Sequence, residues 1–167
     1  MIIEGKAVVI AEDNVDTDVL YPGSFLNIDD PEKMKPYLFE GYNPALRDQL
    51  RGDTILMAGA NFGSGSSREH VPHALKAWNI RCVVGKSFAR IFHRNCINLG
   101  LPALTCPEAV AAAKPGSRVR IDMEAGVIDV DGTRFQATPV PTFMREMVTS
   151  GGLVPWAKRR LAGAGGR

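Results

Sequence analysis

The sequence predicts an α/β domain with a mixed sheet, and three observations carry that expectation. Short apolar and β-branched stretches alternate with amphipathic ones through the first two thirds of the chain, the pattern of strands joined by helical crossovers. From Lys114 onward apolar and polar residues alternate around short turns, as in an antiparallel meander. The length of 167 residues, with 45% hydrophobic content, supports one packed core and not two. A single domain over residues 1–160 follows, with the glycine-rich 161–167 read as a disordered tail.

The elements can be justified in order. GKAVVIAED (5–13) has a β-branched centre and reads as the first strand. NVDTDVLYPGSFLN (14–27) is rich in Asp, Asn, Gly and Pro and reads as an irregular loop; Asp16, Thr17 and Asp18 within it, and Asp13 just before it, serve either as turn residues or at the edge of a site. DDPEKMKPYLFEG supplies an Asp cap and a first-turn proline, so a short helix follows. DTILMAG (53–59) is a second, buried strand. HVPHALKAW sets Val71, Ala74, Leu75 and Trp78 at helical spacing, and RCVVG returns as a strand. SFARIFHRNCINLG places Phe88, Ile91, Phe92 and Cys96 on one helical face, between Ser87 as a cap and Gly100 as a stop. LPALT gives another strand, and the meander turns at EAG and DG. PTFMREMVTSGG and LVPWAKRRLA read as closing helices, with Lys158, Arg159 and Arg160 on a solvated end.

Composition excludes several classes. A net charge of +2, from 20 basic and 18 acidic residues, gives no broad field for nucleic acid or an anionic membrane. No signal segment and no apolar run near the roughly 20 residues needed to span a bilayer is present, so a soluble, cytoplasmic protein is expected. Cys82, Cys96 and Cys106 are odd in number and lack CxxC spacing, which fits buried thiols and offers no zinc or iron–sulfur ligand set. His70 and His73 stand three apart on a helix and His93 lies elsewhere, so they make no metal site; His70 reads as a hydrogen-bonding or site neighbour.

NFGSGSSREH (61–70) is the stretch that carries chemistry. It lies between a buried strand and an amphipathic helix, where unpaired backbone amides and the helix dipole favour an anion. Gly63 and Gly65 let the backbone pass through positive φ and approach a ligand, and Arg68 adds a fork that fits a carboxylate or phosphate. Nucleotide motifs do not match: a dinucleotide fingerprint needs glycine where Arg68 stands, and a P-loop needs Gly-Lys before a hydroxyl. The esterase elbow fails because Phe62 stands two places before Ser64. A plain alternative is open, in which Ser66 and Glu69 form a capping box. Pro72 then falls in the second helical turn, which argues for a bent or shifted start.

The segment GANFGSGSSREHVPHALKAWNIRCVVGKSFARIFHRNCINLGLP (59–102) resembles the signature of the small subunits of isopropylmalate dehydratase and homoaconitase, which are similar to the swivelling domain of aconitase. DNVDTDVLYP (13–22) matches the same family's first loop, and the two stretches together cover about a third of the chain in family order. The resemblance implies a three-layer swivelling β/β/α fold and a hydro-lyase acting on a malate-type acid. It implies Ser66 as the catalytic base, acting as an alkoxide, with Ser67 and Arg68 binding the carboxylate beside the reacting carbon. A serine alkoxide needs backbone donors, a nearby cation and exclusion of water.

The family's four-iron four-sulfur cluster has no ligand set here. The resemblance therefore implies a separate large subunit that carries it, no cofactor bound by this chain, and no activity for this chain alone. Substrate choice falls to the loop after the DTD motif, which reads PGSFLNIDDPE. Ser24 stands where an arginine is common in the family, and Asn27 and Ile28 match neither a pair suited to an extra carboxylate nor the usual alkyl-binding pair. Ile28 suits an apolar pocket and Asn27 a polar contact, which favours an alkyl-substituted malate, isopropylmalate first, with methyl- and dimethylmalate next and homoaconitate last. A non-catalytic anion-binding or regulatory module is the alternative of another class.

Overall fold

The computed structural model describes residues 1–65 and 68–165. β1 (Ile2–Ile10) is followed by α1 (Thr17–Leu20), a 3-10 turn at Gly23–Phe25 and α2 (Pro31–Met34). Further 3-10 turns at Lys35–Tyr37 and Pro44–Gln49 lead to β2 (Thr54–Ala58). Then come α3 (His70–Ala77), β3 (Ile80–Gly85), α4 (Arg90–Asn98), β4 (Ala103–Thr105) and α5 (Pro107–Ala112). β5 (Arg118–Asp122), β6 (Val127–Val130) and β7 (Thr133–Gln136) precede α6 (Thr142–Ser150) and α7 (Leu153–Gly165).

Seven strands make one mixed sheet in the order β4-β3-β2-β1-β5-β6-β7. The first four run parallel, with Val8 opposite Leu56, Leu56 opposite Val83 and Val83 opposite Ala103. β5, β6 and β7 join antiparallel, β5 on the free edge of β1. Side chains alternate between two cores, as the pleat requires. Val8, Ile10, Leu56, Ala58 and Val83 meet α3, α4 and the long segment before β2 on one face. Ala7, Ile55, Met57, Cys82 and Val84 belong to the other face. The meander's Val119, Ile121, Ile128 and Val130 enter only that second core, so the sheet curls over it and α5 and α6 close it. Helices, parallel sheet and curled meander are thus stacked as the expected mixed α/β architecture. Among the described residues no helix is long and apolar enough to cross a membrane.

Several local expectations shift, each for a physical reason. β1 starts at Ile2 because Ile2 to Lys6 pair with β5, and it ends at Ile10. The loop over 14–27 contains the one-turn α1, whose cap Asp16 accepts the Asp18 N–H at 2.6 Å. α3 starts at His70 with Glu69 in the cap position; Ser66, the other member of the expected capping box, lies outside the described residues. Pro72 is then the third helical residue, among the N–H groups that have no intrahelical acceptor, and the second-turn conflict disappears.

α4 starts at Arg90 with Ala89 as its cap, because Ser87 Oγ accepts the Asn61 N–H at 2.7 Å. Phe88 therefore lies outside the helix, and Ile91, expected on the buried face with Phe92 and Cys96, is 46% exposed. α5 was not anticipated from sequence; Pro107 sits at its start. α7 continues to Gly165, so residues 161–165 are helical, and residues 166 and 167 of the expected tail lie outside the described residues.

Candidate active site

The candidate site lies at the carboxyl ends of β1, β2 and β3, where open α/β sheets place their ligands. The loop after β2 is laced between the loops after its neighbours. On the β1 side, Asn14 N–H donates to the Ala60 carbonyl at 2.8 Å and Ala60 N–H to Asp13 Oδ1 at 2.7 Å. Gly63 N–H reaches the Val15 carbonyl and Thr17 N–H the Ser64 carbonyl, both at 2.9 Å. On the β3 side, Phe62 N–H donates to the Ser87 carbonyl at 3.2 Å and Ala89 N–H to the Phe62 carbonyl at 3.0 Å. The turn over 61–65 is thereby tied to the loops on both sides of it.

The two glycines do what the sequence requires of them. Gly63 has φ 83° and Gly65 φ 91°, in the left-handed region. A Cβ on Gly63 would collide with the Phe92 ring, and one on Gly65 would lie 2.5 Å from Asp16 Oδ2. Asp16 thus caps α1 and packs its carboxylate on the turn, and Thr17 beside it is buried.

Ser66 and Ser67 lie outside the described residues, between Gly65 and Arg68. Arg68, two residues ahead of α3, turns its side chain back to the loop after β1. Its Nη1 donates to the Tyr21 carbonyl at 3.1 Å and pairs with Asp18 Oδ1 at 2.9 Å. The arginine side chain is 18% exposed and that of Asp18 57%. Both bonds leave from one nitrogen of the fork. Gly23 sits against the other side, its Cβ position 3.5 Å from Nη2.

His70 stacks on Tyr21 with ring centroids 5.2 Å apart, and its Nε2–H donates to the Leu26 carbonyl at 3.0 Å. Tyr21 O–H donates to the Phe25 carbonyl at 2.8 Å, and burial raises its pKa with the nearby Tyr37 adding to the effect. These contacts pin the loop that carries Asn27, which is exposed, and Ile28, which is half-buried against the first core. His70 is therefore a brace for that loop.

Sequence reasoning missed the pairing of Asp18 with Arg68 and the roles of Tyr21, Asn61 and Ser87. A pairing across 50 residues leaves no mark on local pattern; only the positive φ of Asn14 (58°) and Asn61 (50°) fits a residue type that tolerates it. A cleft of about 470 Å³ adjoins the turn, lined by Gly63, Gly65, Ala89, Arg90, Ile91 and Arg94.

Among the described residues no three His, Cys, Asp or Glu side chains gather. Burial pushes the Cys82 and Cys96 thiols up, and Cys106 is raised for the same leading reason.

Known proteins resemble this chain. Residues 45–109 match the aconitase C-terminal domain. The 3-isopropylmalate dehydratase small subunit of Caldicellulosiruptor bescii is 44% identical over 163 residues, covering 96% of this chain and 98% of that one. The 2,3-dimethylmalate dehydratase small subunit of Eubacterium barkeri is 47% identical over 144 residues, covering 85% and 88%. The crystal structure of 3-isopropylmalate dehydratase from Methanocaldococcus jannaschii superposes with a TM-score of 0.91 at 34% identity, over 99% of this chain and 98% of that one. With near full-length similarity in both sequence and fold, the chain belongs to the family of 3-isopropylmalate dehydratase small subunits.

Proposed function

We propose that this chain is the catalytic small subunit of a cytoplasmic two-chain hydro-lyase that interconverts 2-isopropylmalate and 3-isopropylmalate by removing and readding water. The observation that carries the reading is Arg68, held at the end of a rigid glycine turn by Asp18 and the Tyr21 carbonyl, directly after two serines. A guanidinium so placed can meet a substrate carboxylate with its remaining donors. Ser67 adds a hydroxyl to the same carboxylate.

Ser66 takes the proton from the carbon beside that carboxylate. The electron pair left on carbon forms the alkene as the hydroxyl departs from the neighbouring carbon, and Arg68 stabilises the carboxylate as it gains charge. Readdition of water with the two carbons exchanged gives the isomer. A four-iron four-sulfur cluster on a large subunit would supply Lewis-acid assistance to the departing hydroxyl; among the described residues of this chain no three His, Cys, Asp or Glu side chains gather to hold one.

The loop over 22–30 contains no Lys or Arg, so a distal carboxylate would find no cation there, whereas Ile28 offers an apolar contact. The Eubacterium barkeri relative keeps 2,3-dimethylmalate as a second candidate. An anaerobic pull-down from the chain's own organism tests both, with the recovered complex assayed on isopropylmaleate, dimethylmaleate, citraconate and homoaconitate by alkene absorbance. Hydration of isopropylmaleate is expected. Preference for dimethylmaleate would reassign the substrate, and a folded chain without partner or activity would support a binding module.

A further inference from the structure

We propose that the outward edge of α4, together with Phe143 of α6, is the seat on which the large dehydratase subunit docks, and that the partner fills it with an apolar side chain flanked by carboxylates. The proposal rests on the two-chain reading above. It begins with Ile91, which helical spacing assigns to the core and which the late start of α4 turns outward to 46% exposure. Phe143, on the facing helix, is 50% exposed. Between α4 and α6 runs a groove of about 350 Å³ with Met144, Met147 and Ile97 in its lining. Large apolar groups bordering such a groove mark a contact surface.

Charge adds the second half of the complement. Arg90 and Arg94 are one helical turn apart, a like-charge spacing that is unfavourable by itself, and among the described residues neither has an ion-pair partner. No acidic side chain lines the groove. Carboxylates from outside would relieve both arginines.

Continuity with the active site completes the case. Arg90 and Arg94 line both this groove and the cleft beside Gly63 and Gly65. That cleft is open, Gly65 is exposed, and proton abstraction by a serine alkoxide requires a site shielded from water. A body that covers the glycine turn from this side must rest on α4. The remaining exposed large hydrophobics, Met1, Ile2, Leu153, Val154 and Leu161, line neither opening.

The experiment is anaerobic titration of the large subunit with this chain, measuring the dissociation constant for wild type, Arg94→Glu, Phe143→Asp and, as a control on the opposite end of the sheet, Arg51→Glu. Arg94→Glu and Phe143→Asp should each weaken pairing about tenfold or more, with Arg51→Glu within twofold of wild type. Added salt should weaken wild-type pairing and affect Arg94→Glu less. The substituted side chains are at the surface, so unchanged thermal melting will exclude misfolding, and Arg94→Ala serves as a milder variant expected to weaken pairing about threefold. Wild-type pairing with both principal variants within twofold overturns the docking seat and leaves the two-chain reading standing. Failure of wild type to pair with the large subunit overturns both.

Discussion

Arg68 is aimed by Asp18: Nη1 lies 2.9 Å from Asp18 Oδ1 while the same nitrogen reaches the Tyr21 carbonyl. The partners differ in what their loss should cost. Lysine at position 68 keeps the charge and loses the planar fork, so Arg68→Lys should lower kcat/KM of the reconstituted enzyme ten- to hundredfold, about 1.4 to 2.8 kcal/mol of transition-state stabilisation. Asp18 is 57% exposed and works through another residue, and exposed ion pairs contribute roughly 0.5 kcal/mol, so Asp18→Asn should cost about threefold or less. Steady-state hydration kinetics separate the two. Equal losses would mean that Asp18 does more than orient its partner.

The glycine turn makes a separable claim about stability. Gly65 and Gly116 share a left-handed φ, 91° and 85°, yet a Cβ on Gly65 meets the Asp16 carboxylate and one on Gly116 meets nothing within 4 Å. Gly116→Ala should therefore lose about 1 kcal/mol from backbone strain alone. Gly65→Ala should lose about 2 to 3 kcal/mol, because Asp16 must also leave the turn and it caps α1. Urea denaturation of the two variants gives the comparison, and equal midpoints would show that Asp16 yields without cost.

His70 braces the loop that holds Asn27 and Ile28 through its bond to the Leu26 carbonyl and its stack on Tyr21. Removing both contacts in His70→Ala should blur discrimination between alkenes more than it slows the favoured one. The ratio of kcat/KM for isopropylmaleate over citraconate is expected to fall about fivefold, within the modest range that separates alkyl groups differing by a few carbons. His70→Gln, which retains a donor, should recover part of the ratio. An unchanged ratio with a uniform loss of rate would place His70 in the fold and not in selectivity.

What the sequence revealed depended on range. β2, β3 and the meander were readable because burial and alternation are written into four to six neighbouring residues, as in Thr54–Ala58. The glycine turn was readable because φ near 90° at Gly63 and Gly65 demands that residue type. Ile91 leaves the expected buried face because the residues that define that face do not all belong to the helix: Ser87, the expected cap, serves Asn61 instead. Asp18, Tyr21 and Ser87 acquire their roles only when loops 40 or more residues apart, or 26 apart for Asn61 and Ser87, are brought together at the ends of parallel strands.

His73, on α3, offers a pH signature of folding that is independent of catalysis. Burial lowers its pKa; Glu69 opposes the change, while Lys76 and His70 add to it. The folded protein thus binds this proton less readily than the unfolded chain, whose histidine titrates near about 6.5. Above that value both states are neutral and His73 contributes nothing to pH dependence. As pH falls from there towards the lower folded pKa, the unfolded state takes up protons first and stability is lost, levelling off once the folded form also titrates. His73→Asn should remove this part of the slope. Urea midpoints for wild type and variant, measured at intervals from pH 7.5 to pH 5, should therefore show wild type losing more stability across that interval. Parallel curves would mean that the imidazole reaches water well enough to titrate as it does in the unfolded chain.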